Sequence, residues 1–315
     1  DYALWCPAPT NTIPLSLGAA AGGTITVGGQ TGSSLPFTVT LASDDALVLQ
    51  TAAGDYWLRC LPPDFPPITA TEISPVSPGW YLTDTTTGSP YTMILDTHGT
   101  PVWYARAPQG ALNTQVISGQ LLSWSPFLGP VGMVPGGAFQ LYDLTTNVTT
   151  TWGPSAGLLD MHELIKLRSG NWAWFNTPIR RDVDLSGVPQ AAGTAGISDC
   201  VIEEIDTSGQ PIWSWRMSEH VSPKESLVTP YVGNSTGIGG ELFYDAFHCN
   251  SMEEEPGTGN LLISARNLSA LLLVERSTGR ILWKMGGTPS ASGARSIQVI
   301  DPAGAFSAQH DARFL

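Results

Sequence analysis

Between residues 244 and 287, three short apolar runs are separated by turn chemistry, and His248, Asn250 and Arg266 interrupt them. The turns fall at 257–260 and 276–280, and β-rich runs bounded by Gly, Asn and Ser read as strands in hairpins. The first hairpin pairs the strands carrying His248 and Arg266, so an imidazole and a guanidinium meet at one end of a sheet. That combination makes an anion site. Two more histidines stand at similar places: Asp160-Met-His162 and Gln309-His310-Asp311 each open an apolar run, as Asp245-Ala-Phe-His248 does. His98 lies in a turn and His220 in a loop, and both read as surface residues.

The elements that must position these histidines come from a repeat. Asp96-Thr-His-Gly-Thr-Pro-Val-Trp103 matches Asp206-Thr-Ser-Gly-Gln-Pro-Ile-Trp213, while Glu275 to Trp283 is a looser copy and Asp143 to Trp152 a fourth. Each copy follows an apolar run. A strand, a tight turn and a return strand bearing Trp, recurring along the chain, are the signature of propeller blades. Inner strands are expected at 115–124, 161–175 and 247–265, with a fourth start at 309–315. Innermost strands face a central channel, so a histidine at this register in successive blades aims three imidazoles at one axis.

Residues 1–66 differ. Thr24-Ile-Thr-Val, Phe37-Thr-Val-Thr-Leu and Asp55-Tyr-Trp-Leu-Arg-Cys-Leu alternate polar and apolar as half-buried strands do. Pro62-Pro-Asp-Phe-Pro-Pro then reads as a stiff linker. The fold expected is all-β: a small β-sandwich-like domain over 1–66, then a six-bladed β-propeller over 67–315, incomplete in this chain and lacking its C-terminal blades. Composition agrees. The chain of 315 residues is 42% apolar and 13% charged, with 11 Trp, 34 Gly and 25 Pro, which favours many turns around a large core over a helical protein.

A net charge of −13 without a basic patch argues against nucleic acid. The longest apolar stretches fall short of the roughly 20 residues of a membrane helix. No signal peptide precedes Asp1, as in a mature chain whose targeting segment has been removed. Four cysteines show no CxxC or Cys/His metal spacing, and their even number suits an exported protein with disulfides. Cys6–Cys60 joins the ends of the first unit, and Cys200–Cys249 follows by elimination. A secreted, periplasmic or cell-surface location is expected. Asn147, Asn234 and Asn267 begin glycosylation sequons that are equally readable as plain turn residues. A glycan on Asn267, beside the proposed site, would argue against catalysis. Glu253-Glu-Glu255 reads as a solvated turn, and no glycine-rich turn has phosphate-loop spacing, so neither metal nor nucleotide cofactor is expected.

The strings Asp245-Ala-Phe-His-Cys-Asn-Ser, Leu261-Leu-Ile-Ser-Ala-Arg-Asn-Leu-Ser and Thr278-Gly-Arg-Ile-Leu-Trp-Lys-Met-Gly-Gly resemble the arylsulfate sulfotransferase family. Asp160-Met-His-Glu, Trp213-Ser-Trp-Arg and Gln309-His-Asp-Ala-Arg-Phe-Leu fit the same pattern, and the resemblance covers roughly residues 68–315. It implies an exported propeller enzyme that moves a sulfuryl group between phenols without a nucleotide donor. His310 would be the nucleophile that becomes a sulfohistidine, and His248 and Arg266 would bind the sulfuryl oxygens. His162 would assist by hydrogen bonding or proton transfer, and Asn250 would bind substrate. The partners implied are a small aryl sulfate donor and a phenol acceptor, with a homo-oligomer or assembly partner left open. Arg266 is also readable as a blade-to-blade ion pair. The rival to catalysis is a secreted or cell-surface structural or binding glycoprotein that keeps the propeller. A quinoprotein-type dehydrogenase ranks last, for want of a cofactor or calcium constellation.

Overall fold

A computed structural model describes all residues except 20–21, 28–29, 52–53, 72, 87, 127–132, 136, 154–157, 189–190, 192, 228–231, 235–241, 290–292 and 302–303. Among the described residues the chain is all-β, with three single-turn 3-10 helices as its only helical elements. It divides into two compact units, Asp1–Ala111 and Leu112–Leu315.

In the first unit Tyr2–Trp5 pairs in parallel with Gly54–Leu61, which pairs antiparallel with Ala46–Thr51. Thr10–Gly18 and Ser34–Ala42 form a long antiparallel pair. The alternation of polar and apolar residues appears there as alternating burial. A disulfide joins Cys6 to Cys60, and both sulfurs lie in a small core with Leu41. The proline-rich stretch does not act as a free spacer. Phe65 is buried with Leu61, Tyr91 and Met93, and Asp64 accepts a hydrogen bond from the Tyr91 hydroxyl at 2.9 Å. That packing draws the meander of Tyr81–Asp84, Tyr91–Leu95 and Pro101–Arg106 into this compact unit, beyond the expected boundary at 66.

Among its described residues the second unit carries three propeller blades. Blade one is Leu112–Ser118, Leu121–Ser125, Phe139–Asp143 and Val148–Trp152, an antiparallel meander. Blade two is Leu158–Lys166, Trp172–Asn176, Val201–Ile205 and Pro211–Arg216, with Met133–Pro135 added beside its first strand. Blade three is Cys249–Glu254, Leu261–Ala265, Ala270–Val274 and Ile281–Gly286, with Arg295–Ile297 beside its last. A further sheet built from Ile179–Asp184, Thr194–Ser198, Leu242–Asp245 and Val232–Asn234 is inserted between strands of these blades, and nothing in the repeat announces it.

Three of the four repeated turns form for one reason. Asp206 Oδ1 accepts the backbone N–H of Ser208 at 2.8 Å and of Gln210 at 2.9 Å. Asp96 Oδ1 does the same for His98 and Thr100, and Asp143 Oδ1 for Thr145 and Thr146. A short carboxylate that closes on its own backbone replaces ladder partners at the hairpin tip. Trp103, Trp152, Trp213 and Trp283 all stand on the return strand of these hairpins. Trp152 crosses to blade two, with its ring centroid 5.3 Å from that of Trp172 and 5.0 Å from that of Trp174. Between blades one and two lie Phe139, Leu141, Leu159, Leu164, Trp174 and Ile205. Between two and three lie Phe175, Ile202, Trp215, Phe247, Met252, Ile263 and Leu272. Each such fully buried side chain contributes about 2 kcal/mol of transfer free energy, so blade stacking supplies the core.

Candidate active site

The first strands of the blades are tied to one another by side chains that bond the neighbouring backbone. From blade one, Asn113 Nδ2 donates to the His162 carbonyl and Gln115 Nε2 to the Leu164 carbonyl. From blade two, Glu163 Oε2 accepts Met252 N–H at 3.1 Å. From blade three, Asn250 Nδ2 donates to the Gln309 carbonyl at 2.9 Å, while its Oδ1 accepts Asp311 N–H at 3.3 Å. Ser251 Oγ accepts Ala312 N–H, and Glu253 Oε2 accepts Phe314 N–H. Residues 309–314 thus follow the first strand of blade three, where the next blade's first strand was expected, although they form no ladder strand.

These ties bring His162, His248 and His310 together. Ring centroids are 5.0 Å apart for His162 and His248, 5.6 Å for His248 and His310, and 6.0 Å for His162 and His310. His162 projects from a bulge where the pairing with Trp172–Asn176 shifts between Leu159 and Leu164. His248 sits at φ 51°, just before the first strand of blade three. His310 lies between Ala308 at φ 51° and Asp311 at φ 56°. Left-handed backbone is uncommon for residues other than glycine, and here it stands at or beside two of the three rings, those of His248 and His310.

Two of the rings have a carboxylate behind them. His162 Nδ1 is 2.6 Å from Asp160 Oδ1, which also accepts the His162 N–H at 2.8 Å. His248 Nδ1 bonds Asp245 Oδ2. Burial alone would lower the His162 pKa, but the charge and hydrogen bond of Asp160, with help from Asp245 and Glu163, carry it above the ordinary value. His310 moves the other way. Burial lowers it first, then the positive character of His248 and His162, with Arg266 adding to the same direction. The exposed ring is therefore held neutral beside one that favours its proton.

Arg266 is half-buried at the start of a 3-10 turn, Arg266–Leu268, with Nη1 donating to Asn267 Oδ1 at 2.9 Å. Gly287 holds that turn close. It sits at φ 60°, and a Cβ there would come within 2.3 Å of the Leu268 carbonyl oxygen. Asn250 turns its amide to the protein backbone. It is 5% exposed, and both ends of its carboxamide are bonded to the backbone on either side of His310. Of the sequon asparagines, Asn267 is also 5% exposed, and its Nδ2 donates to the Asp245 carbonyl at 2.6 Å, so a glycan is incompatible with this folded state. Asn147 lies exposed in its turn. The Asn234 sequon runs outside the described residues. Cys249, next to His248, forms a disulfide with Cys200.

Sequence reasoning passed over Glu163 and Arg313. Glu163 is fully buried, bonds Arg313 Nη2 at 2.8 Å, and has its pKa pushed up to about 7 by burial against the opposing pull of Arg313. Their signal lay in Asp160-Met-His-Glu and His-Asp-Ala-Arg, where each stands within three residues of a site histidine. A groove of about 430 Å³ lined by Glu163, Lys166, Arg168, Glu253 and Arg313 does not include the imidazoles. One ring nitrogen from each of the three histidines lies within 4.8 Å of the others, so this is also a group able to hold a metal ion.

The fold and site define a β-propeller protein with three convergent imidazoles at the inner ends of its blades. Residues 140–315 match the arylsulfotransferase (ASST) family, and the chain belongs to it. No protein of curated function matches the chain. Among solved structures it is similar to glutaminyl cyclase of Myxococcus xanthus at 12% identity, covering 70% of this chain and 78% of that one, with a TM-score of 0.33. It is likewise similar to BamB of Moraxella catarrhalis at 12% identity, covering 69% and 68%, with a TM-score of 0.30. Among the described residues no helix is long and apolar enough to cross a membrane.

Proposed function

We propose that this chain transfers a sulfuryl group from an aryl sulfate to a phenol through a sulfohistidine on His310. The observation that carries this reading is the exposed His310 ring packed between two imidazoles that each have a carboxylate behind them, where burial and those rings lower its pKa. A neutral imidazole is a competent nucleophile near pH 7. Its free ring nitrogen attacks sulfur, the S–O bond to the aryl group breaks, and the phenolate takes the proton held on His162. A second phenol returns that proton to His162 and attacks the same sulfur, the S–N bond breaks, and His310 is restored. Arg266 and His248 stabilise charge on the sulfuryl oxygens, for which a forked, permanently charged guanidinium is suited. Asn250 acts through His310 as a positioning residue. The two disulfides suit an exported protein.

The test is a quenched incubation with para-nitrophenyl sulfate. One sulfuryl group should appear as an acid-labile mass increase on the peptide containing His310, and H310A should release no phenol while unfolding at the same temperature as the parent. Phenol release undiminished in H310A would overturn the assignment. Arg266→Lys should lower turnover roughly a hundredfold, the usual cost of about 3 kcal/mol for losing one oxyanion contact. A change under threefold would return Arg266 to a purely structural role.

A further inference from the structure

The three imidazoles are arranged as a ligand set as well as a nucleophile with two assistants. We propose that His162, His248 and His310 form a binding site for one divalent transition-metal ion of the zinc class, and that such an ion and the sulfuryl group compete for the His310 nitrogen. The metal site stands on geometry alone, whereas the competition rests on the function proposed above.

One nitrogen from each ring lies within 4.8 Å of the other two. A tetrahedral ion with Zn–N bonds of about 2.0–2.1 Å needs its nitrogens roughly 3.4 Å apart. Closing that gap takes rotation of rings that are only partly enclosed, His162 and His248 at 22% and 26% side-chain exposure and His310 more open still. The tautomers are already suitable. With Nδ1 of His162 bonded to Asp160 and Nδ1 of His248 bonded to Asp245, Nε2 of each ring is the ligand atom, and an ion displaces the proton that His162 otherwise holds there. A carboxylate behind a ligating histidine fixes the ring and raises its basicity, an arrangement that metal centres use routinely. Three neutral imidazoles without thiolate or clustered carboxylate donors favour zinc, copper or nickel over calcium or magnesium. Asp160 and Asp245 offset the ion's charge, while Arg266 opposes it. Three protein ligands leave a fourth position open to water or an anion. While His310 holds the ion, its lone pair cannot attack sulfur, so a bound metal silences transfer without disturbing the fold.

The full chain, stripped with a chelator, should be titrated with Co²⁺ by visible absorption and with Zn²⁺ by calorimetry. One equivalent should bind with a tetrahedral Co²⁺ spectrum that Zn²⁺ displaces. H162A, H248A and H310A should each lose that spectrum, and D160N, which keeps every ligand, should bind roughly 10–100-fold more weakly. Zn²⁺ should raise the apparent KM for para-nitrophenyl sulfate, and chelator should reverse this. Ions that bind equally well to all three alanine variants, or no tetrahedral spectrum at any concentration, would overturn the metal site while leaving sulfuryl transfer standing. Tight binding by a chelator-stripped protein that never turns over aryl sulfate would support the metal site and remove the transfer reading. Binding at the histidines with turnover unchanged at saturating Zn²⁺ would overturn the competition.

Discussion

The hairpin turns that carry the repeat and the inner ends of the blades use polar side chains for opposite purposes. At the turns an Asp binds N–H groups two to four residues ahead of it, as Asp96 and Asp206 do. Everything such a turn needs is local, so each copy of the sequence makes the same structure. At the inner ends the partners are 49 residues away for Asn113 and Gln115, 89 for Glu163, 59 and 61 for Asn250 and 61 for Ser251. Those bonds form only once neighbouring blades have packed. The turns report how the fold is built. The inner ends report what the packed blades hold in place, and there His162, His248 and His310 meet.

The largest effect expected from breaking this contrast lies at the Cys200–Cys249 disulfide. It fixes the residue after His248 to the start of a blade-two strand across a sequence separation of 49. Closing a loop of that length contributes on the order of 4 kcal/mol by chain entropy. Replacing both cysteines by serine should lower the unfolding midpoint steeply and reduce turnover with it. Turnover retained in full at a temperature where the variant is still folded would show that packing alone places His248.

Asn250→Ala should act next, through the bonds to Gln309 and Asp311 that flank His310. Two hydrogen bonds at about 1 kcal/mol each amount to roughly a tenfold to thirtyfold loss in kcat. KM should stay within about twofold, because the amide touches no substrate. A rise in KM with kcat unchanged would restore Asn250 to the binding role that its place in the sequence suggested.

These clamps mark the limit of what was legible in advance. The Asp-to-Trp copies located the hairpins because each copy encodes its own turn. His162, His248 and His310 were legible as a set because they occupy the same place in successive copies. Asn250 was legible as polar and close to His248, but not as bonded to the backbone around His310, since that backbone lies a blade away. Glu163 reads as a surface residue by type, and its full burial and its pairing with Arg313 are set by packing between parts of the chain that are distant in sequence. The inserted sheet that pairs Thr194–Ser198 with Leu242–Asp245 in parallel carries no copy of the repeat, so periodicity could not reveal it.

On the side of the turns, Asp96→Ala should remove the side-chain acceptor of two backbone N–H groups and cost about 1 kcal/mol, seen as a modest drop in the unfolding midpoint. Turnover at a temperature where the variant is folded should be unchanged. A fall in turnover matching that of Asn250→Ala would erase the distinction between turns that build and inner ends that position.

The smallest expected effect sharpens the contrast between histidines. His220 stacks on Trp215, with ring centroids 4.9 Å apart and planes 9° from parallel, while Trp215 Nε1 donates to the Gly279 carbonyl in the blade-three turn. Burial lowers the His220 pKa from its usual 6.5, and the nearby Glu219 only partly offsets it. A group whose folded pKa lies below its unfolded value leaves stability unaffected above the unfolded value. Below it the unfolded chain takes up the proton first, so stability falls as pH drops from 6.5 through the folded pKa and is then lost in full. His220→Phe keeps a flat ring against Trp215 but cannot titrate. Unfolding midpoints of parent and variant should therefore run parallel from pH 8 to about 6.5, with the variant gaining on the parent below that. Titration of the three site histidines is common to both proteins and drops out of the difference. Curves that stay parallel down to pH 5 would mean that the stack accepts a charged imidazole as readily as a neutral one, and that burial has no hold on this residue.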